Sequence, residues 1–366
     1  MAVLIDRGAL SLGNNLSVRS AERVLREWGT IGEAGPIVLD LSELSFVEIG
    51  AGWRLGNAIS AWSRHADVTV KVPSPGNFGG LWYRTFTRSG LGLSLASHTL
   101  KLESDSQDVT HEVRQYYEGL GQVAASSTNV VVPGLERRVE LRDPDLFATE
   151  FSRWAPSVGL EWVNSATKAK RISFLSMIRE AIANVFDHAY RSPCERLDSK
   201  LSYLSLRRYE SLTTAPGAGS MERYLSSIQD DQESEQVGWI EIVVVDDGVG
   251  IAARQSQNPN VCNEDLSLED ETLGSALRSG HSVKRTTCDA PSQGDPGYGF
   301  TYMADGLWRF HAYAELRTGR RLLTLDASGP ECDGFVIREQ ELGWMAGTAL
   351  HVVFPLYSTQ LRIRFQ

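Results

Sequence analysis

The stretch "GWIEIVVVDDGVGI", residues 238–251, constrains this chain more than any other. Ile240, Ile242, Val243, Val244 and Val245 form a β-branched run, the composition of a buried strand. The run stops abruptly at two aspartates and two glycines. Strand-like and helix-like segments alternate around it, which predicts sheets with helices packed on them.

A second stretch, "REAIANVFDHAY" at 179–190, reads as an amphipathic helix. At roughly 100° per residue, positions i, i+4, i+7 and i+8 fall within about a quarter turn of one another. Glu180, Asn184, Asp187 and His188 therefore share a face opposite Ile178, Ile182, Val185 and Ala189. Polar helix faces ordinarily meet water. This one contains no lysine and offers carboxylates, an amide and an imidazole, groups suited to metal and proton work.

The 366 residues predict two or three domains. A net charge of −10, with no block of Lys and Arg, disfavours nucleic acid as the main partner. No run approaches the roughly 20 apolar residues of a membrane helix, and the opening "MAVLIDRGALSLGNN" does not read as a signal peptide. Cys194, Cys262, Cys288 and Cys332 are scattered, which argues against zinc and for a reducing, cytoplasmic setting.

Along the chain, "GPIVLDLSEL" (35–44) and "DVTVKVPSPG" (67–76) read as strands, with helix-like segments at 50–66 and at 80–95, the latter closed by Gly90. Residues 1–105 are expected to form one domain, 106–129 a linker and 130–366 a second domain. Within the second, "NVVVPG" and "KLSYLSLRRYE" are strand-like, "DPDLFATEFSRWAPSVG" is helical, and the end holds a helix followed by four strands. The Ser-, Gly- and acid-rich stretch at 213–236 reads as a loop. Residues 252–296 read as a long polar connection, with "NEDLSLEDE" (263–271) solvated.

Four signals stand in chain order. The polar stripe comes first, then "DDGVG" (Asp246 to Gly250), then "GYGF" (Gly297, Gly299, Phe300) opening a helix, and finally Gly347-Thr348 before the last strand. A carboxylate at a strand end can accept from an exocyclic amine, while bare glycine backbone admits a flat ring. Glycines opening a helix offer free N–H groups to phosphates. An Asn amide oxygen is an adequate Mg2+ ligand when phosphates complete the octahedron, and a nearby Glu can take a proton from water.

This ordered set resembles the GHKL ATPases: gyrase, MutL, the large heat-shock chaperones, histidine kinases and anti-sigma kinases. The resemblance covers about residues 130–358. It implies a Bergerat-type ATP-binding fold, a two-layer α/β sandwich with a mixed sheet and helices on one face. It also implies ATP and Mg2+ as ligands. By it, Glu180 is the water-activating base, Asn184 the Mg2+ ligand, and Asp187 and His188 lie near the phosphates. Asp246 reads adenine beside Gly248 and Gly250, and Thr348 supports that site. Gly297, Gly299 and Phe300 form the hinge of a lid at about 252–296, with Phe300 where the family often has Leu. His281, Lys284 and Arg285 of the lid are candidates to close over the phosphates.

The front end, "IVLDLSELSFVEIGAGWRLGNAI", is similar to STAS domains, so an N-terminal STAS-like α/β domain is expected. Regulators of that family switched by phosphorylation carry Ser or Thr in the turn before the helix. Here Glu48, Ile49 and Gly50 stand there, which implies docking or structure instead, with Trp53 and Trp82 as anchors.

The function these resemblances imply is a Mg2+-dependent regulatory ATPase. Its lid would switch binding to a protein partner, in a bacterial signalling or phage-defence setting, with a homodimer as a further assembly. The alternatives are an anti-sigma-type serine kinase, a histidine kinase using His111, and an ATP-gated interaction protein with little turnover.

Overall fold

The computed structural model describes residues 9–28, 36–64, 66–76, 78, 80–97, 100–119, 124–126, 129–160, 163, 168–189, 201–212, 220–230, 236–258, 261, 266–278, 299–328, 334–338 and 342–357. It is a mixed α/β protein. The front third supplies β1 (Ala9–Ser11), β2 (Asn15–Leu16), β3 (Ile37–Asp40), β4 (Phe46–Val47), β5 (Val68–Lys71), β6 (Lys101–Ser104) and β7 (Gln107–Asp108). β1, β3, β5 and β6 pair in parallel, and β7 closes that sheet antiparallel, while β2 and β4 form a small ladder of their own. Its longer helices are α1 (Val18–Trp28), α2 (Ala51–Ser63), α3 (Leu91–Ser97) and α4 (Thr110–Gly119).

Glu48 is buried and accepts the Val18 N–H at 2.8 Å, so it secures the first turn of α1. Gly90, at φ +77°, separates a π-turn at Tyr83–Thr87 from α3 where one helix was expected. Residues 106–129, expected as a linker, contain β7, α4 and β8 (Ala124–Ser126). Val113 and Tyr117 of α4 are buried in the front core, which a bare connection cannot do.

The second sheet has eight strands in the order β14, β13, β12, β15, β11, β10, β9, β8. The further strands are β9 (Asn129–Pro133), β10 (Ser202–Tyr209), β11 (Gln236–Asp246), β12 (Tyr313–Gly319), β13 (Arg321–Asp326), β14 (Val336–Ile337) and β15 (Met345–Tyr357). Every pairing in it is antiparallel, where a mixed sheet was expected.

Period-2 alternation divides its side chains cleanly. Ile240, Ile242 and Val244 of β11 face one core with α5 (Pro144–Trp154), α6 (Lys168–Asn184) and α10 (Gly299–Arg309). Val243 and Val245 face the other way, into a core shared with Trp53, Leu55 and Leu39 of the front unit. Both faces of the sheet are therefore covered. The front unit's core residues cover the face that carries Val243 and Val245.

Two segments read as polar connections contain helices. α7 (Ser220–Asp230) buries Met221, Tyr224 and Leu225 beside Trp239 and Tyr313. After α8 (Ile251–Ser256), α9 (Leu266–Leu277) runs through the acidic stretch expected in water. Its Glu269 is fully buried and accepts the Arg320 N–H at 3.0 Å, and Asp270 takes Arg321 in a two-pronged pair at 2.7 and 2.6 Å. Leu273 and Ala276 complete its buried side.

Candidate functional site

β11 ends at Asp246 between β10 and β15, with Ser202 and Thr348 directly opposite it. Its neighbour Asp247 points the other way, as the strand alternation dictates. The two carboxylates thus serve opposite sides of the sheet.

Asp246 is buried on the helix side, and its Oδ1 accepts the Gly248 N–H at 2.9 Å. Burial pushes its pKa up to about 7 and the Asp247 charge adds to this, while the N–H groups of Gly248 and Thr348 and the Arg64 guanidinium oppose the rise. A carboxylate in that state gains from any further donor. The site suits a ligand that presents an amine.

Glycine is required around it. A Cβ at Gly248 would collide with the Ala189 carbonyl, and the next N–H, from Val249, donates to that same carbonyl at 3.0 Å. Gly347 has φ +67°, and a Cβ there would strike the Asp246 carbonyl. Gly250 precedes α8, and the Ile251 N–H donates to Thr318 Oγ1 at 3.1 Å. Thr318 in turn donates to the Gly347 carbonyl at 3.2 Å, so one buried hydroxyl ties the glycine turn to β15. Thr348 itself is half-buried and contributes its backbone N–H to Asp246.

α6 passes on the helix side and continues as a π-turn, Val185–Ala189. A Cβ built on Gly299, the first residue of α10, would lie 3.2 Å from Glu180 Oε2 and 4.0 Å from Asn184 Oδ1. The carboxylate and the amide therefore meet the start of α10 side by side. Glu180 Oε1 also accepts from Arg179 at 3.2 Å. Phe300 packs against the core, with its ring edge-on to Phe335 at 6.2 Å.

The π-turn alters the expected stripe. One wide turn changes the phase of the helix after Asn184, and the Asp187 carboxylate is 3.0 Å from Arg142. Arg142 also lies over the Phe186 ring, 5.5 Å from its centroid. Asp187 thus serves an ion pair with the turn before α5. His188 belongs to the π-turn by its backbone, but its side chain lies outside the described residues, as do Lys284, Gly297, His281 and Arg285.

Among the described residues no group of three or more His, Cys, Asp or Glu is placed to hold a metal ion. The Asn184 amide with Glu180 beside it fits a different kind of site, a Mg2+ completed by phosphate oxygens and water.

Sequence reasoning missed Thr318, Arg142 and the second aspartate's partners. On the front-unit side Asp247 is fully buried. It accepts the Leu201 N–H at 2.8 Å, the Ser60 hydroxyl at 2.7 Å and Arg64 Nη2 at 3.0 Å. The Asp-Asp pair was the available signal, since consecutive strand residues face opposite sides and each buried carboxylate needs its own donors. Comparison of the chain with protein-family models, with curated proteins and with solved structures finds no match.

Proposed function

We propose that this chain is a Mg2+-dependent regulatory ATPase of the GHKL type: a Bergerat-type nucleotide domain joined to a STAS-like front unit. The observation that supports this reading most is the Asp246 carboxyl. It is buried at the end of a central strand, held by the Gly248 and Thr348 N–H groups, and surrounded by backbone that tolerates no side chain. In the proposal it accepts the N6 amine of adenine. Asn184 holds Mg2+, which when bound neutralises phosphate charge. Glu180 takes a proton from the attacking water and Gly299 opens the helix beneath the phosphates. Nucleotide binding switches contact with a protein partner.

The front unit supports contact over phosphate acceptance. Its turn carries Glu48 as a buried partner of α1, and Trp53 and Trp82 are buried in the core it shares with the large sheet. The test is incubation of the whole chain with ATP labelled at the γ-phosphate. Released phosphate supports the ATPase. Label on protein supports a kinase instead, and binding without either supports an ATP-gated interaction protein.

A further inference from the structure

The front unit touches the base site directly. Helix α2 lies against β15 and ends beneath the "DDGVG" turn, with Asn57, Ser60 and Arg64 at helical spacing on one side. Asn57 Nδ2 reaches the Ala346 carbonyl at 3.2 Å and the Asp246 carbonyl at 3.4 Å. Ser60 donates to Asp247 Oδ2 at 2.7 Å. Arg64 Nη2 lies 3.0 Å from the same oxygen and donates to the Asp247 main-chain carbonyl at 2.5 Å. These residues come from a different unit of the chain, yet they hold the backbone and second carboxylate of the turn on which Asp246 sits.

We propose that Arg64 and Ser60 are positioning residues of the nucleotide site, through which the front unit sets how well Asp246 receives the base. The inference rests on the adenine-reading role proposed for Asp246. Two effects act together. The clamp fixes the main chain of residues 246 and 247, so the Asp246 carboxylate is presented in one orientation. It also compensates the Asp247 charge, which otherwise lies beside Asp246 in a dry site.

Among the described residues, the charged groups that act most on the Asp246 carboxyl are Asp247 from its own turn and Arg64 from α2. β15 contributes the Thr348 N–H, and across β10 stands Ser202, whose hydroxyl is engaged by Glu136. Among the described residues Arg64 is the cation that acts most on Asp246. Its removal leaves two neighbouring carboxylates opposed, and the neutral form of Asp246 gains. The ionised form is the better acceptor for an amine, so the nucleotide site weakens at neutral pH and recovers at higher pH. A partner that shifted α2 would act on the site by the same route.

The experiment is isothermal titration of the full chain with MgATP between pH 6 and 9, for wild type, Arg64→Met, Arg64→Lys and Ser60→Ala. Methionine keeps most of the arginine stem and loses the charge. A one-unit rise in the Asp246 pKa lowers the competent fraction at pH 7 by about fivefold, and Kd rises by the same factor. The expected result is that loss at pH 7, shrinking to within about twofold of wild type at pH 9. Arg64→Lys should restore most of the pH 7 affinity. Ser60→Ala should shift the pH midpoint in the same direction by less, and it carries the test should Arg64→Met not fold. A merely structural role would weaken binding equally at every pH. Unchanged affinity and midpoint in the variants, or a loss independent of pH, overturns the inference while ATP binding by the wild type stands. No ATP binding by the wild type overturns the nucleotide reading and this inference with it.

Discussion

Arg54 of α2 and Glu315 of β12 are 261 residues apart in the chain, and their side chains meet at 2.7 Å. The pair is the centre of a buried ionic cluster between the front unit and the large sheet. Glu22 of α1 bridges Arg54 at 2.9 Å and Arg317 at 3.2 Å. His351 of β15 stands between Glu315 at 3.8 Å and Glu241 at 3.0 Å, and Glu241 also pairs with Arg207 at 3.1 Å. Three carboxylates thus meet three guanidinium groups and an imidazole. Removing one partner strands the others in a dry interior, so Arg54→Met should destabilise the fold by about 3–5 kcal/mol. Equilibrium denaturation measures this, and a loss below about 1 kcal/mol would show that water enters the cluster.

The same cluster sets a pH dependence. Burial alone would raise the Glu241 and Glu315 pKa values. Arg207 with His351 and Tyr209 outweighs it at Glu241, holding that group at about 2, and Arg54 with His351 outweighs it at Glu315. Stability from these lowered groups is present above the unfolded value of 4.5 and is lost as pH falls through the folded values. Burial disfavours the imidazolium of His351, yet Glu241 and Glu315 raise its pKa above 6.5. Its contribution is full below 6.5 and is lost as pH rises through the folded value. Denaturation midpoints should therefore fall below pH 4.5 and again on the alkaline side, and His351→Gln should flatten the alkaline limb. An alkaline limb that survives in His351→Gln assigns it to another group.

Asp246→Ala should weaken ATP binding by about 2 kcal/mol, the cost of leaving a buried amine without its acceptor. GTP has a carbonyl at that position and should bind the wild type poorly. Equal wild-type affinities for ATP and GTP would remove Asp246 from base recognition. Its pKa of about 7 adds a second readout, because the amine favours the ionised form. ATP binding at pH 7 should release about half a proton, visible as a dependence of the binding enthalpy on buffer ionisation.

Glu180→Gln keeps shape and hydrogen-bonding reach but cannot take a proton. Turnover should fall by about 10²- to 10⁴-fold, while ATP affinity changes by less than about 1 kcal/mol. Asn184→Ala should lose Mg2+-dependent binding and turnover together. Equal turnover by Glu180→Gln and wild type would return Glu180 to an ordinary polar helix face.

After incubation with ATP, mass spectrometry should find no phosphoserine within residues 42–63. The turn there offers Glu48, Ile49 and Gly50, and Glu48 is engaged with the first turn of α1. A phosphoserine in that window would make the front unit a phosphoacceptor and favour the kinase alternative.

What the residues determined on their own was local. The β-branched run of β11, the turn at "DDGVG" and the face of α6 carrying Glu180 and Asn184 are all legible within about ten residues. There, side-chain branching, glycine and helical period decide the outcome. The four strands after α10 are legible for the same reason. Where period fails, composition misleads. α9 reads as solvated acid because Glu269 is buried by a donor from Arg320, 51 residues away.

Only the tertiary structure decided what covers the second face of the large sheet, and with it the meaning of the second aspartate. Ser60 and Asp247 are 187 positions apart, and nothing local to either names the other. Arg207, Glu241, Glu315, Arg317 and His351 look like surface residues in their strands, yet all are buried on the face that the front unit covers. Charges tolerate burial only where partners of opposite sign are brought to them, and that pairing is settled when the two units pack.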